Sequence, residues 1–525
     1  MSQTLASTAR ELFDETDFPK VWQRITAWPP DAFAFTSTVL ARTGAYRQVV
    51  SPPEGYVWPR DMAWQRRVAE DAYAWRHQLP GPPHDVKLLV EAEAGLRRCW
   101  QEPLASLAHP RSQEAWDNCC AVLGLHALAD QACFGLGVPG PQDVSPSQKS
   151  SLALEANLHL VDTGTLAKVS PEVMRVLPKL RTPQLGITLR SLSHHVGAHA
   201  SDITPHWHPA PDVADDLDRR LNLLLLPWPL EVPASSFQPV EGRLSNMSTR
   251  RFGFFEFNPP PLGDPERVLH VLEDAVKRLG PVHGVVFPEA CLDRAEADQV
   301  AQLLKQRGVQ LMLSGVRGPE ENVAQLRLLQ RREALTYEQP KHHRWCVDAS
   351  QIRQYGLESV LNPSRMWWEH IKLPPRELHV VAANEWLGIC HLICEDLARQ
   401  DPVTQLVRSV GPTLVVALLQ DGPQLARRWS ARYATVLADD PGSSVLSLSS
   451  LGMALRSRVP GAPPSRVVAL WKDSRTGPVE IELPEGKTGI WLSLCAEQLV
   501  EYTADGRSDT GASARLVLAH HEAVG

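Results

Sequence analysis

Along the first 134 positions apolar residues recur at three- and four-residue steps. The segments DVKLLVEAEAGLRRCW and EAWDNCCAVLGLHALADQA carry the pattern most clearly, and they predict a mostly helical region over 1–134. The run GLGVPGPQDVSPSQKSS, 135–151, breaks the period with Gly, Pro and Ser and reads as a linker. After it, LGITLRSLSHHVGAHASDITPHWHPAPD predicts a strand and then an irregular segment, so 135–215 is a linker and mixed segment of unknown role. From about 220 the texture changes. LNLLLLPWPL and RFGFFEF have strand character, DPERVLHVLEDAVKRLG starts on Asp-Pro and keeps helical spacing, and HGVVFPEA is a short buried strand ended by Pro288. EADQVAQLLKQRG predicts a helix and VQLMLSGV a strand. Further strands are expected at EWLGICHLIC, PTLVVALL and SSVLSLSS, with a helix near 424–439, then at RVVALWKD, PVEIEL and TGIWLSL. Such alternation predicts a layered α/β domain over 216–525.

Length and composition narrow this picture. A chain of 525 residues is too long for one ordinary core. Hydrophobic residues make up 43% and charged residues 22%, as in a globular protein. The net charge of −7 and the absence of a basic stripe speak against nucleic acid. No apolar run is long enough to span a bilayer, and MSQTLASTARELFDETDF has no apolar core of a signal peptide. With nine cysteines, an odd number, a reduced cytoplasmic setting is expected.

Chemistry concentrates at three strand ends. Glu289 closes VVFPEA, Lys341 follows the turn-like YEQP, and Cys394 closes CHLIC ahead of Glu395 and Asp396. In an α/β fold the carboxyl ends of neighbouring strands converge on one face. A thiol would serve there as nucleophile, a carboxylate as proton acceptor and donor, and an ammonium as the cation that offsets the acids beside the thiol. Asp396 is expected to cap or orient the turn after the thiol.

These motifs, in this order, resemble the nitrilase or carbon–nitrogen hydrolase superfamily over about 220–500. RFGFFEFNPPPLGDPERVLHVLEDAVKRLGPVHGVVFPEA resembles the superfamily's opening strand, first helix and glutamate motif. QPKHHRW resembles its lysine motif and LICEDLARQDPV its nucleophile elbow; Arg432 and Gly452 hold the places of an arginine and a glycine in the segment that follows. The resemblance implies an α-β-β-α four-layer sandwich and catalysis without metal or organic cofactor. It implies hydrolysis of a non-peptide C–N bond, an amide ahead of a nitrile, through Glu289, Lys341, Cys394 and a thioester acyl-enzyme. Glu369 in RMWWEH matches the second active-site glutamate, with Glu358 as the alternative. The Glu395 backbone N–H and Lys341 would hold the oxyanion. Trp368, Trp367 and Trp429 are candidates to line the pocket. An acyltransferase using the same acyl-enzyme and a non-catalytic binding module are the rival readings. The partners implied are a small amide or nitrile and a further copy of the chain; 1–215 is read as an appended unit for a protein partner, substrate selection or regulation, as in a bacterial multi-component or defence system.

Each residue also has a plainer reading. Cys390 is expected to be a buried structural thiol, and Cys119 with Cys120 a feature of one helix face. Lys341 beside His342, His343 and Arg344 also reads as a surface basic patch, with Lys372 as the spare lysine. His194, His195, His199, His206 and His208 fit no closed zinc spacing, so a satisfied or solvent-facing role is expected for them.

Overall fold

The computed structural model describes residues 3–59, 61–79, 83–134, 136, 187, 203–210, 213, 218–240, 250–329, 335–384, 386–399, 406–458, 463–500, 502–507 and 513–525. Apart from Leu136 and Ile187, the expected 135–151 linker and the strand expected in LGITLRSL lie outside the described residues, as do His194, His195 and His199.

The helical reading of the first 134 positions holds. Short polar side chains begin the helices: Thr4 caps Leu5–Phe13, Asp61 caps Met62–Gln78 and Ser112 caps Gln113–Ala132, each accepting from a backbone N–H of the first turn. Gln113–Ala132 is buried on most of its surface because helices Pro29–Thr43, Met62–Gln78 and Lys87–Arg98 pack around it. Its buried His126 shares a hydrogen bond of 2.9 Å with Thr36.

Three sheets follow. A seven-stranded sheet runs in the order Thr204–Pro209, Glu377–Ala382, Gly388–Ile393, Leu414–Leu419, Ser444–Ser449, Val467–Lys472, Val479–Glu482. An eight-stranded sheet runs Ser513–Val524, Gly489–Leu499, Arg220–Leu225, Gly284–Val286, Leu311–Gly318, Glu321–Leu328, Leu335–Pro340, with Leu292–Asp293 beside Leu311–Gly318. A small sheet joins Cys346–Val347, Met366–Glu369, Phe252–Phe257 and Phe237–Val240.

Period-2 alternation decides what each face of the eight-stranded sheet covers. Leu224, Val285 and Met312 point one way, into a cluster with Val268 and Leu272 of helix Glu266–Leu279 and Val300 and Leu304 of helix Arg294–Gln306. Their neighbours Leu223, Leu225, Val286, Leu311 and Leu313 point the other way, into one core with Val380, Ile389 and Val415 of the seven-stranded sheet. Helix Trp429–Asp439 packs on Ser444–Ser449 and Val467–Lys472 through Ala431, Ala434 and Leu437. Each fully buried Leu or Val in these layers contributes about 1.5–3 kcal/mol relative to an exposed one.

Two features differ from the sequence reading. Phe252–Phe257, read as the opening strand of the large domain, belongs to the small sheet; Arg220–Leu225 takes the opening position, parallel to Gly284–Val286. The reason is aromatic packing: Phe255 and Phe257 meet Phe237 at ring separations of 5.8 and 5.1 Å in a separate core with Trp345. Secondly, Thr204–Pro209 lies ahead of the expected domain start at 216, yet pairs in parallel with Glu377–Ala382. Its two prolines suit an edge strand and hide its alternation.

The same core cluster reaches back into the N-terminal helices. Arg507 ties the two parts together by pairing with Asp130 at 2.7 Å and Asp505 at 2.9 Å, all three buried. Trp58 Nε1 donates to the Asp505 carbonyl at 3.2 Å. Among the described residues no helix is long and apolar enough to cross a membrane.

Candidate active site

Glu289, Lys341, Glu369 and Cys394 are all buried, at 2–5% exposure, and they meet between the two large sheets and the small one. The Lys341 ammonium donates to Glu289 Oε1 at 2.7 Å and to Glu369 Oε2 at 2.6 Å. Asn322 repeats the bridge, its Nδ2 donating to Glu289 Oε1 and Glu369 Oε1 at 2.8 Å each. Backbone amides complete the set: Gln420 N–H donates to Glu289 Oε2 at 2.7 Å and Trp345 N–H to Glu369 Oε2 at 3.1 Å. Every oxygen of both carboxylates is therefore bonded, as charges in a dry site require.

Cys394 sits where the Gly388–Ile393 strand turns into the short 3₁₀ helix Cys394–Leu397, at φ 46°. For a residue with a Cβ this left-handed conformation costs about 1–3 kcal/mol. The strain is held by the buried Asp396, which accepts from His342 N–H at 3.0 Å and from His343 Nδ1 at 2.7 Å. The turn that presents the thiol is thus bonded to the residues directly after Lys341. Asp396 orients the turn, as expected from its position, and it does so by tying two motifs together.

The electrostatics follow from one cation among several acids. Burial, and the neighbouring Glu369, raise the Glu289 carboxyl above the ordinary value against the pull of Lys341. Lys341 is held well above its ordinary value: burial opposes its charge, but Glu289, Glu369 and Cys394 outweigh that. Burial and the Glu289 carboxylate push the Cys394 thiol well up, and Lys341 only partly offsets them. The cation that the acids around the thiol call for is present, but two carboxylates share it. The resting group is therefore a neutral thiol beside Glu289 and Lys341.

A cavity of about 330 Å³ opens on Cys394; Trp345, Gln420, Asp421, Trp429 and Tyr433 line it. Gln420 is 2% exposed, and neither end of its side-chain amide has a partner among the described residues. Asp421 is anchored by Tyr355 Oη at 2.6 Å, Arg428 Nη2 at 2.6 Å and Trp429 Nε1 at 2.9 Å.

Several sequence-derived candidates lie elsewhere. Trp368 is in the small sheet opposite Cys346 and Phe254 and does not line the cavity; Trp345 and Trp429 do. Glu395 stays at the cavity that opens on Cys394, where its side chain pairs with Arg399 at 2.5 Å. Glu358 is exposed, and Lys372 pairs with Glu320 at the surface. Arg432 is exposed; Arg399 lines the cavity, and Arg428 reaches it through its bond to Asp421. Gly452 admits the 229–232 segment, since a Cβ there would meet the Val232 nitrogen at 2.7 Å. Cys390 is buried and its thiol is pushed up to about 12 by burial alone. Gln420 has no local signal in the sequence beyond lying just past a strand end.

Gly315 holds the glutamate in place. A Cβ at this position would meet Ala290 N, Glu289 Cα and Pro288 O at 2.4 Å each, all backbone atoms. Gly315→Ala is expected to lower stability by about 2 kcal/mol through overpacking and to misplace Glu289. Urea unfolding followed by tryptophan fluorescence measures the first effect; an unchanged midpoint would contradict the close approach.

No protein-family model and no curated protein matches the chain. Solved structures similar to it include Nit3 of Saccharomyces cerevisiae, a member of branch 10 of the nitrilase superfamily. That likeness is 12% identity over 53% of this chain and 90% of the other, with a TM-score of 0.31. The NitFhit protein of C. elegans is 11% identical over 52% of this chain and 60% of the other, with a TM-score of 0.32.

Proposed function

We propose that the chain is a cysteine-dependent hydrolase of non-peptide C–N bonds, acting on a small primary amide, and that its two large sheets and their helices form an α-β-β-α sandwich. One observation carries the reading: a buried carboxylate and ammonium, Glu289 and Lys341, are hydrogen-bonded to each other beside a thiol presented on a strained turn.

The steps balance without any further group. Cys394 Sγ attacks the amide carbonyl as its proton passes to Glu289. The oxyanion is held by the Lys341 ammonium and the Glu395 backbone N–H. Collapse breaks the C–N bond, and Glu289 returns the proton to the departing ammonia. The thioester is then attacked by water, which Glu289 deprotonates; the carboxylic acid leaves and the thiol is restored. Glu369 and Asn322 position Lys341 and Glu289 throughout. Gln420 supports the preference for an amide over a nitrile: its unpartnered C=O and NH₂ match the NH₂ and C=O of a primary amide as donor to acceptor, which a nitrile cannot reciprocate.

The test is ammonia release over a panel of primary amides, carbamoyl compounds and nitriles, run as a pH profile. Attack requires ionised Glu289, whose proton is held above the ordinary value of 4.5. Activity (kcat/KM) is therefore lost as pH falls through that raised value and gained as pH rises through it. A rising limb at or below the ordinary carboxylate range would remove Glu289 from the base role, and release from nitriles but no amide would overturn the substrate class.

A further inference from the structure

We propose that His206, Glu377 and His379 form a zinc site that fastens the first strand of the seven-stranded sheet to its neighbour. The site is separate from the hydrolytic chemistry and stands or falls independently of it. In sequence these residues are far apart, but the parallel pairing of Thr204–Pro209 with Glu377–Ala382 sets Thr204 beside Glu377 and His206 beside His379. Residues two apart on a strand share a face, so His206, His208, Glu377 and His379 all present side chains to one side of the sheet.

Glu377 bonds His379 Nε2 at the long end of the hydrogen-bond range and reaches His206 as well; the His206 and His379 rings stack at 4.4 Å, so a shared ion requires the His206 ring to turn about its side-chain bonds. Glu377 Oε2 lies 3.4 Å from His206 Nε2 and 3.3 Å from His379 Nε2. A charge-assisted hydrogen bond would be about 2.7–2.9 Å. Ligand atoms about 2.0–2.1 Å from a tetrahedral zinc ion stand about 3.3–3.4 Å apart. All three ligand atoms lie within 4.8 Å of one another. Two imidazoles and a carboxylate are a donor set of the borderline softness that suits zinc.

The surroundings complete a metal site. His379 Nδ1 lies 3.0 Å from His208 Nε2, a bond that turns Nε2 of His379 toward the carboxylate as the metal-binding nitrogen. Tyr337 stacks on His208 at 3.9 Å, fixing that ring. Gln339 clamps the ligand-bearing strand at both residues, accepting from His379 N–H at 3.0 Å and donating to the Glu377 carbonyl at 2.6 Å. His206 and His379 side chains are 14% and 10% exposed and Glu377 38%, so the ion is reachable from solvent. Tyr337 and Gln339 sit on the Leu335–Pro340 strand directly ahead of Lys341. A bound ion would therefore brace the strand pair on which the lysine end rests.

The experiment uses the full chain, stripped with chelator and titrated with zinc against a chromophoric competitor, in a Cys394→Ala background that removes the one thiol on the cavity. The expected result is one tight equivalent of zinc and a higher melting temperature when it is bound. His206→Gln and Glu377→Gln, both at the accessible rim, should each weaken binding at least tenfold while leaving the metal-free melting temperature unchanged. His208→Phe keeps the stacked ring but loses the bond to His379, and should weaken binding about 10–100-fold. Absence of stoichiometric zinc, or zinc held equally well by the His206 and Glu377 variants, would overturn the site.

Discussion

Cys394→Ala is expected to abolish ammonia release, by about four to six orders of magnitude in kcat, with the fold intact. The size follows from the role: removing a nucleophile that acts as a unit with its base removes nearly all the chemistry that the unit performs. The substitution leaves the Glu289–Lys341–Glu369 cluster and its bonds from Asn322 in place. It also removes only a thiol that burial already keeps neutral, so circular dichroism and the unfolding midpoint should stay near those of the parent chain. Intact mass on the parent chain, quenched during turnover, should show an acyl adduct that the variant lacks.

The same measurement separates the rival readings. A single equivalent of ammonia with a persisting adduct would mean that the thioester forms but water is not its acceptor, and an acyltransferase would replace the hydrolase. Ammonia release unchanged by the substitution would remove Cys394 from the reaction. Neither release nor adduct across the panel would favour a binding module, with the N-terminal helices joined through Arg507 and Asp130 as the place to look for its partner.

What could be read in advance was what the chain states locally. Glu289, Lys341 and Cys394 each end a short apolar run, and residues at strand ends meet when the strands lie side by side. Their convergence in one buried cluster is consistent with that reading. The capping boxes at Thr4, Asp293 and Asp348 are local in the same sense. Pairing across long separations left no such mark. RFGFFEF and RLNLLL both look like opening strands, and only the aromatic core around Phe237 and Trp345 decides that the first joins the small sheet. Likewise the bond from Asp396 to His342 N–H, and the meeting of His206 with His379, depend on registers that no window of sequence contains. Five histidines taken by spacing alone gave no metal pattern, and the residues that face two of them, Glu377 and His379, come from a strand about 170 residues on.

Lys341→Met should be the most destabilising single change at the site, at about 3–5 kcal/mol near neutral pH, the usual cost of leaving a buried charge unpaired. Glu289 and Glu369 would then face one another across Asn322 with no cation between them. Glu289, which burial already raises, would hold its proton more tightly folded than unfolded. The native state then binds more protons than the unfolded state, so stability falls as pH rises above the unfolded carboxylate value and recovers below it. The parent chain carries less of this dependence, since its lysine keeps its charge between both acids. Urea unfolding at about pH 5 and pH 8 reads the difference directly. Adding Glu369→Gln to Lys341→Met removes one of the opposed charges and should return part of the loss, a coupling that a double-mutant cycle measures. A Lys341→Met chain as stable as the parent at pH 8 would mean that the two glutamates are not both ionised in the native protein, and Lys341 would lose its place as the cation that organises the site.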